Sequence, residues 1–336
     1  MTAPTESASS SSEMTEAATA PDPASMPERL PGEPEAIFVV GVPRSGTTMT
    51  RALLDTSDRI SIARENHYMG HVFGRRGARH FFRKVGEDLT NDDTIRKIVD
   101  LIYSGEYEKQ AGWRPPSPHW YWLIENVDRD DLERRLLAEE RSERGMFRGF
   151  ISAYAAKHGK PIWGEKTPTH LSFTDELLEW FPDAKVVHML RDPRAIYVSD
   201  LYRRQNRDRW PYTWLDRVPF LLESYLVLLT VVTWRSALRL HAALKERHPD
   251  NYRLFRFEDV VTDAEHTLPD MFGFLGVATP ENATSPWVAA RHGMRSSNEG
   301  IDPKAASRWR ERIHPFAKRF IELALGRSMR KFGYTE

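Results

Sequence analysis

The stretch Ala36-Ile-Phe-Val-Val-Gly41, followed at once by Val42-Pro-Arg-Ser-Gly-Thr-Thr48 and a helical pattern over Met49–Asp55, constrains this chain more than any other feature. A short run that is apolar at every position has no polar face to offer water. It therefore reads as a strand covered on both sides, the situation of a central strand in a parallel sheet. Two further runs of this kind, Ala184–Leu190 and Tyr252–Phe257, lead into Arg191-Asp-Pro-Arg194 and Glu258-Asp259, and Pro161–Gly164 is a fourth candidate. Helical patterns fill the gaps at Asp130–Glu143, Gly145–His158, Thr174–Phe181, Phe220–Glu246 and Ile313–Lys331, and Pro193 suits a first helical turn. Strands alternating with helices predict an α/β fold, three layers α/β/α around a central, mainly parallel sheet.

The loop between the first strand and its helix has the composition of an anion cradle. Successive backbone N–H groups in a glycine-containing turn converge above a helix N-terminus, where they favour negative charge. Arg44 adds a fixed cation, and Ser45, Thr47 and Thr48 add hydroxyl donors. The glycines at 41 and 46 have the spacing of a nucleotide phosphate loop, G-x-x-x-x-G-K-[ST], but Thr47 stands where that loop carries lysine, and the cation sits upstream at Arg44. The G-x-S-x-G turn of hydrolases is not matched.

Composition narrows the alternatives. Residues 1–34 hold six Pro, six Ser, one basic residue and no aromatic, which predicts a disordered acidic tail ahead of a single domain over 35–336. Lys+Arg and Asp+Glu are both 48, which argues against a nucleic-acid binder. Cysteine is absent, so a disulfide framework, a thiolate metal site and a thiol nucleophile are excluded. The N-terminus has no basic start and no apolar core of a secretory signal, and the apolar run Tyr225–Val232 is too short for a membrane span. These features predict a cytoplasmic protein without a transmembrane segment.

Motifs spread from Gly41 to Trp309 together resemble the sulfotransferases that use 3′-phosphoadenosine 5′-phosphosulfate (PAPS), with the protein-tyrosine and heparan type the most similar branch. Pro43, Arg44, Ser45, Gly46, Thr47 and Thr48 look like the 5′-phosphosulfate loop of that family. Arg191 and Ser199, eight residues apart after a strand, resemble its 3′-phosphate-binding pair. Glu65, in Ile62-Ala-Arg-Glu-Asn-His-Tyr68, falls where that branch carries a catalytic glutamate, and a carboxylate suits removal of an acceptor proton. Trp163-Gly-Glu-Lys-Thr-Pro-Thr-His170 partly resembles the Lys-Thr-His segment of small-molecule sulfotransferases, which makes His170 a rival base and Lys166 a group for the bridging oxygen of the donor. Ala306-Ser-Arg-Trp309 is similar to a donor-closing segment, with Arg308 a candidate 3′-phosphate contact. One departure is Phe257, which stands where the protein-tyrosine type has a phosphate-binding tyrosine.

The resemblance implies in-line sulfuryl transfer to a hydroxyl or amine of a small-molecule, carbohydrate, lipid or peptide acceptor, with 3′-phosphoadenosine 5′-phosphate as product and no metal. A nucleotide kinase or hydrolase and a catalytically silent nucleotide-binding scaffold are the alternatives. Trp113, Trp120, Tyr121, Trp122, Phe147, Phe150 and Tyr154, with the Arg114–Pro118 break among them, either wall an acceptor or fill a core, the latter being the commoner use of such residues. Arg203, Arg204, Arg207 and Arg209 read as a solvated helix face that would also suit an acidic acceptor.

Overall fold

A computed structural model describes residues 26–72, 88–104, 120–205, 218–284 and 301–334. Trp113, the Arg114–Pro118 stretch, Arg207, Arg209 and residues 1–25 of the expected tail lie outside the described residues. The strands are β1 (Ala36–Gly41), β2 (Ile60–Ala63), β3 (Ile162–Lys166), β4 (Lys185–Leu190) and β5 (Tyr252–Arg256). All pair in parallel, in the order β2-β3-β1-β4-β5. The helices used below are α1 (Thr47–Leu54), α2 (Glu143–Lys157), α3 (Pro193–Gln205), α4 (Pro219–Arg247) and α5 (Pro315–Lys331).

The sequence dictates most of this locally. β1 is buried along its whole length, as an uninterrupted apolar run requires, and Phe38 meets Phe147, Trp163 and Phe181 on one side of the sheet. The other side is a second core of Ile37, Val39, Leu53, Ile60 and Phe272 with their neighbours. The helical pattern expected over Asp130–Glu143 stops at Ala138, because Ser142 adopts an extended conformation and its hydroxyl accepts from the Gly145 N–H, capping α2. β2 was not anticipated: four residues, Ile-Ser-Ile-Ala, are too few to display a period. Its position is set by Asp55, whose carboxylate accepts from the Ile62 N–H at 2.7 Å, and by Arg51, which reaches the Ile62 carbonyl at 2.6 Å.

The aromatic cluster resolves in favour of the core. Trp120, Trp122, Phe147, Phe150 and Tyr154 are all buried, with Trp120 stacked near Phe150 and Trp122 edge-on to Tyr154, while Tyr121 is exposed. Among the described residues they therefore supply packing, not an acceptor wall. Residues 26–34, assigned by composition to the tail, run along the domain. Glu33 is buried, with its carboxylate held by Arg59 at 2.7 and 2.8 Å.

The strand order fixes where a ligand can sit. The connection leaving β1 passes toward β2, and that leaving β4 passes toward β5, so a crevice opens outside the carboxyl ends of β1 and β4. Register aligns the relevant residues along that edge: Gly41 opposite Met189, Val39 opposite Lys166, Ala63 opposite Glu165, and Leu190 opposite Arg256.

Candidate active site

The loop after β1 is built for close backbone approach. Arg44 has φ 74° and Gly46 φ 96°, so left-handed residues punctuate the turn and N–H groups fold inward. A Cβ on Gly46 would lie 2.3 Å from Cδ2 of Phe257. Gly46 caps α1 without any side-chain hydrogen bond, leaving the first N–H groups of the helix for another acceptor. Ser45 is fully buried and its Oγ meets no protein partner. An anion at the loop suits both features.

Arg191 and Ser199 are joined through Arg44, which the sequence assigned to the loop alone. Arg44 Nε donates to Ser199 Oγ at 3.0 Å, and Arg191 Nη1 donates to the Arg44 carbonyl at 3.2 Å. Arg191 also donates from Nη2 to the Ala305 carbonyl at 3.0 Å and stacks 4.0 Å above the Phe257 ring. Burial pushes its guanidinium down to about 10, so it is a desolvated cation that gains from a bound anion. Phe257 thus has a physical role without a hydroxyl: its ring is at once the floor under Gly46 and the platform for Arg191. Arg308 is partly exposed and ion-paired with Asp302. Trp309, expected to close over the donor, is instead buried in the core, with Arg194 stacked 4.2 Å from its ring.

Glu65 and Lys166 meet at the neighbouring strand ends. Lys166 Nζ donates to Glu65 Oε1 at 2.5 Å, the lysine side chain being 7% exposed and the glutamate 42%. His67 Nε2 lies 3.7 Å from Glu65 Oε2. Desolvation would raise the carboxyl, but the His67 and Lys166 interactions outweigh it and hold Glu65 well below the usual carboxylate range.

His170 does not share that place. It is fully buried; its Nε2 accepts from the Met69 N–H at 3.3 Å, which puts the proton on Nδ1, 2.7 Å from Glu165 Oε1. Both ring nitrogens of the expected rival base are thus engaged within the protein. Glu165, which the sequence reading passed over, is the centre of that network. It accepts from Thr167 Oγ1, from Asn66 Nδ2 at 3.2 Å and from His170, while the Asn66 N–H donates to Thr167 Oγ1 at 3.2 Å. A buried carboxylate at the end of β3 thereby ties the loop carrying Glu65 to the strand carrying Lys166. Only its adjacency to Lys166 could have drawn attention to it.

A family model described as "Sulfotransferase family" matches residues 34–281, most of the chain and every site residue above except Arg308. The chain belongs to the sulfotransferase family. It is 26% identical over 268 residues to the omega-hydroxy-beta-dihydromenaquinone-9 sulfotransferase Stf3 of Mycobacterium bovis, covering 72% of this chain and 62% of that one. To the protein-tyrosine sulfotransferase of Drosophila melanogaster it is 23% identical over 287 residues, 81% of this chain and 46% of that one. The chain therefore spans less than two thirds of the length of these relatives. The sulfotransferase domain from the curacin biosynthetic pathway has the same fold, with a TM-score of 0.52 and 16% identity over 92% of this chain and 99% of that domain.

Proposed function

We propose that this sulfotransferase moves a sulfuryl group from PAPS to an acceptor hydroxyl or amine by a single in-line displacement. The observation that carries this reading is the Lys166–Glu65 pair at 2.5 Å, on the same sheet edge as the anion-type loop. Backbone N–H groups of Gly46, Thr47 and Thr48, with Arg44 and the Ser45 hydroxyl, hold the 5′-phosphosulfate. Arg191, Ser199 and Arg308 hold the 3′-phosphate. Lys166 leaves Glu65 for the bridging oxygen, where it neutralises charge as the sulfur–oxygen bond breaks. Glu65, released from its ammonium partner, becomes more basic and takes the acceptor proton as the new oxygen–sulfur or nitrogen–sulfur bond forms. The leaving group is 3′-phosphoadenosine 5′-phosphate, and no step in this scheme calls for a metal.

The test is a thermal-shift titration with adenosine 3′,5′-bisphosphate beside ATP with magnesium. At a hundred times Kd a ligand adds about 2.7 kcal/mol, roughly 4 to 10 °C for a chain of this size. A shift with the bisphosphate and little with ATP supports the reading. The reverse favours a kinase or hydrolase, and no shift with either favours a silent scaffold.

A further inference from the structure

The residues after α5 turn back into the domain beside Arg191. Gly333 has φ 72°; the Tyr334 N–H bonds the Met329 carbonyl at 3.0 Å, and the Gly333 N–H bonds the Arg330 carbonyl at 3.1 Å. This crossed pair of bonds around a left-handed glycine stops the helix and reverses the chain. A Cβ on Gly333 would also sit 3.2 Å from Arg256 Nη1. The reversal buries Tyr334, which is 5% exposed. Its ring lies 4.8 Å from the Arg256 guanidinium and 6.3 Å from the Trp234 ring.

Both neighbours lead to Arg191, which stands between β4 and α3. Trp234 of α4 donates from Nε1 to the Arg191 carbonyl at 3.0 Å. Arg256 ends β5 opposite Leu190, the last residue of β4, so Arg191 and Phe257 leave the sheet side by side. Next comes Glu258, whose Oε1 accepts from the Asp192 N–H at 3.0 Å. Nη1 and Nη2 of Arg191 go to the carbonyls of Arg44 and Ala305, so its charge is balanced at a distance, chiefly by Glu258. The Tyr334 hydroxyl faces Glu258 and Arg256. Arg191 Nε, Arg256 Nε, Glu258 Oε2 and Tyr334 Oη are all buried and close no hydrogen bond within the protein. Unmet buried donors and acceptors are costly, so a cluster holding both gains when they pair. Desolvation already pushes the Glu258 carboxyl up, the mark of a charge poorly met. A phosphate arriving at Arg191 takes over that cation and leaves Glu258 beside a second anion. Oε2 then needs a donor. Arg256 is committed to Asp259 at 3.1 Å, which leaves the Tyr334 hydroxyl.

We infer that Tyr334 is a positioning residue for the 3′-phosphate site: its hydroxyl holds Glu258 and its ring packs on Trp234, so that Arg191 keeps its place on Phe257 when the phosphate binds. The role presupposes PAPS as the donor. The test is isothermal titration of adenosine 3′,5′-bisphosphate and adenosine 5′-phosphate into the full chain, as wild type, Tyr334→Phe, Glu258→Gln and the double variant. Tyr334→Phe keeps the ring and removes only the hydroxyl. It should lose about tenfold in affinity for the bisphosphate and less than about twofold for the 5′-phosphate. Binding of the 5′-phosphate at wild-type strength shows that a variant is folded. In the Glu258→Gln background the hydroxyl has no carboxylate to hold, so its removal should change bisphosphate affinity little. An equal loss for both nucleotides overturns the inference, and so does a tenfold loss that persists in the Glu258→Gln background. Wild-type protein without preference for the bisphosphate overturns the donor reading as well. A preference that survives Tyr334→Phe overturns this inference alone.

Discussion

Glu65 is held in an ion pair with Lys166. Its carboxyl is held far below the ordinary range by His67 and Lys166 against the opposing effect of desolvation, so in the free protein it is ionised throughout the neutral range. Two consequences can be measured. The pH profile of kcat/KM, which reports free-enzyme groups, should show no acid limb from Glu65 between pH 5 and 8; a limb at about 6.5, the ordinary imidazole value, would move the base role to a histidine. Because the folded carboxyl is depressed, the stability it contributes is present above its unfolded value of about 4.3 and is lost as pH falls through the lower folded value. The acid decline in Tm should therefore be shallower in Glu65→Gln. The same variant should lose about 10²- to 10⁴-fold in kcat while keeping its bisphosphate thermal shift, and unchanged turnover would remove Glu65 from the mechanism. Glu165 acts one step further back. Glu165→Gln keeps the volume but cannot accept from Thr167, Asn66 and His170 together, so a buried donor is left unmet at about 1–3 kcal/mol. If it positions Glu65, kcat should fall with the donor-product Kd unchanged; a loss of Tm alone would make its role purely structural.

The β1-loop-α1 unit is where local sequence and tertiary structure coincide most closely. Gly46 must be glycine for two independent reasons, its φ of 96° and the Phe257 ring 2.3 Å from any Cβ. Gly46→Ala should cost about 1 kcal/mol for the backbone and about 1–3 kcal/mol more for overpacking, measured by urea unfolding. It should also abolish the bisphosphate shift, since displacing Phe257 displaces the platform under Arg191; full donor-product binding by this variant would refute the cradle. The spacing of the two glycines and the apolar run before them made this unit legible in the sequence. The sequence placed Arg191 at a strand end and Ser199 two helical turns on, but not Arg44 between them, which bonds Ser199 through its side chain and Arg191 through its carbonyl. The Glu165 network was not legible, since beside the nearby Thr167 and His170 it depends on Asn66, 99 residues away, which only the register of β2 on β3 brings near. Trp309 was misread for a related reason: a motif gives the order of side chains along the chain but not which of them the core takes, and Arg194 claims that ring.

At the scale of the whole molecule, Arg194 joins the sheet edge to the C-terminal helix. Its guanidinium, almost wholly buried, spans Asp192 at 2.8 Å and Glu322 of α5 at 2.7 Å while covering the Trp309 ring. Asp192 in turn donates its N–H to Glu258 Oε1, so the residue after Arg191 is fixed between β4, the segment after β5 and α5. α5 thus braces the strand end that carries Arg191, whose other supports are the Phe257 ring and the Ala305 carbonyl. Arg194→Met keeps much of the packing on Trp309 but leaves Asp192 without its cation, Glu322 keeping only Lys318, which should cost about 3–5 kcal/mol. Arg191 should then lose its fixed backbone, and affinity for adenosine 3′,5′-bisphosphate should fall more than affinity for adenosine 5′-phosphate, because the 3′-phosphate is what Arg191 would select. Isothermal titration of both nucleotides with wild-type and Arg194→Met distinguishes this from a general loosening. An equal loss for the two ligands would mean that α5 stabilises the domain without shaping the donor site. A selective loss would make the far end of the chain part of donor discrimination.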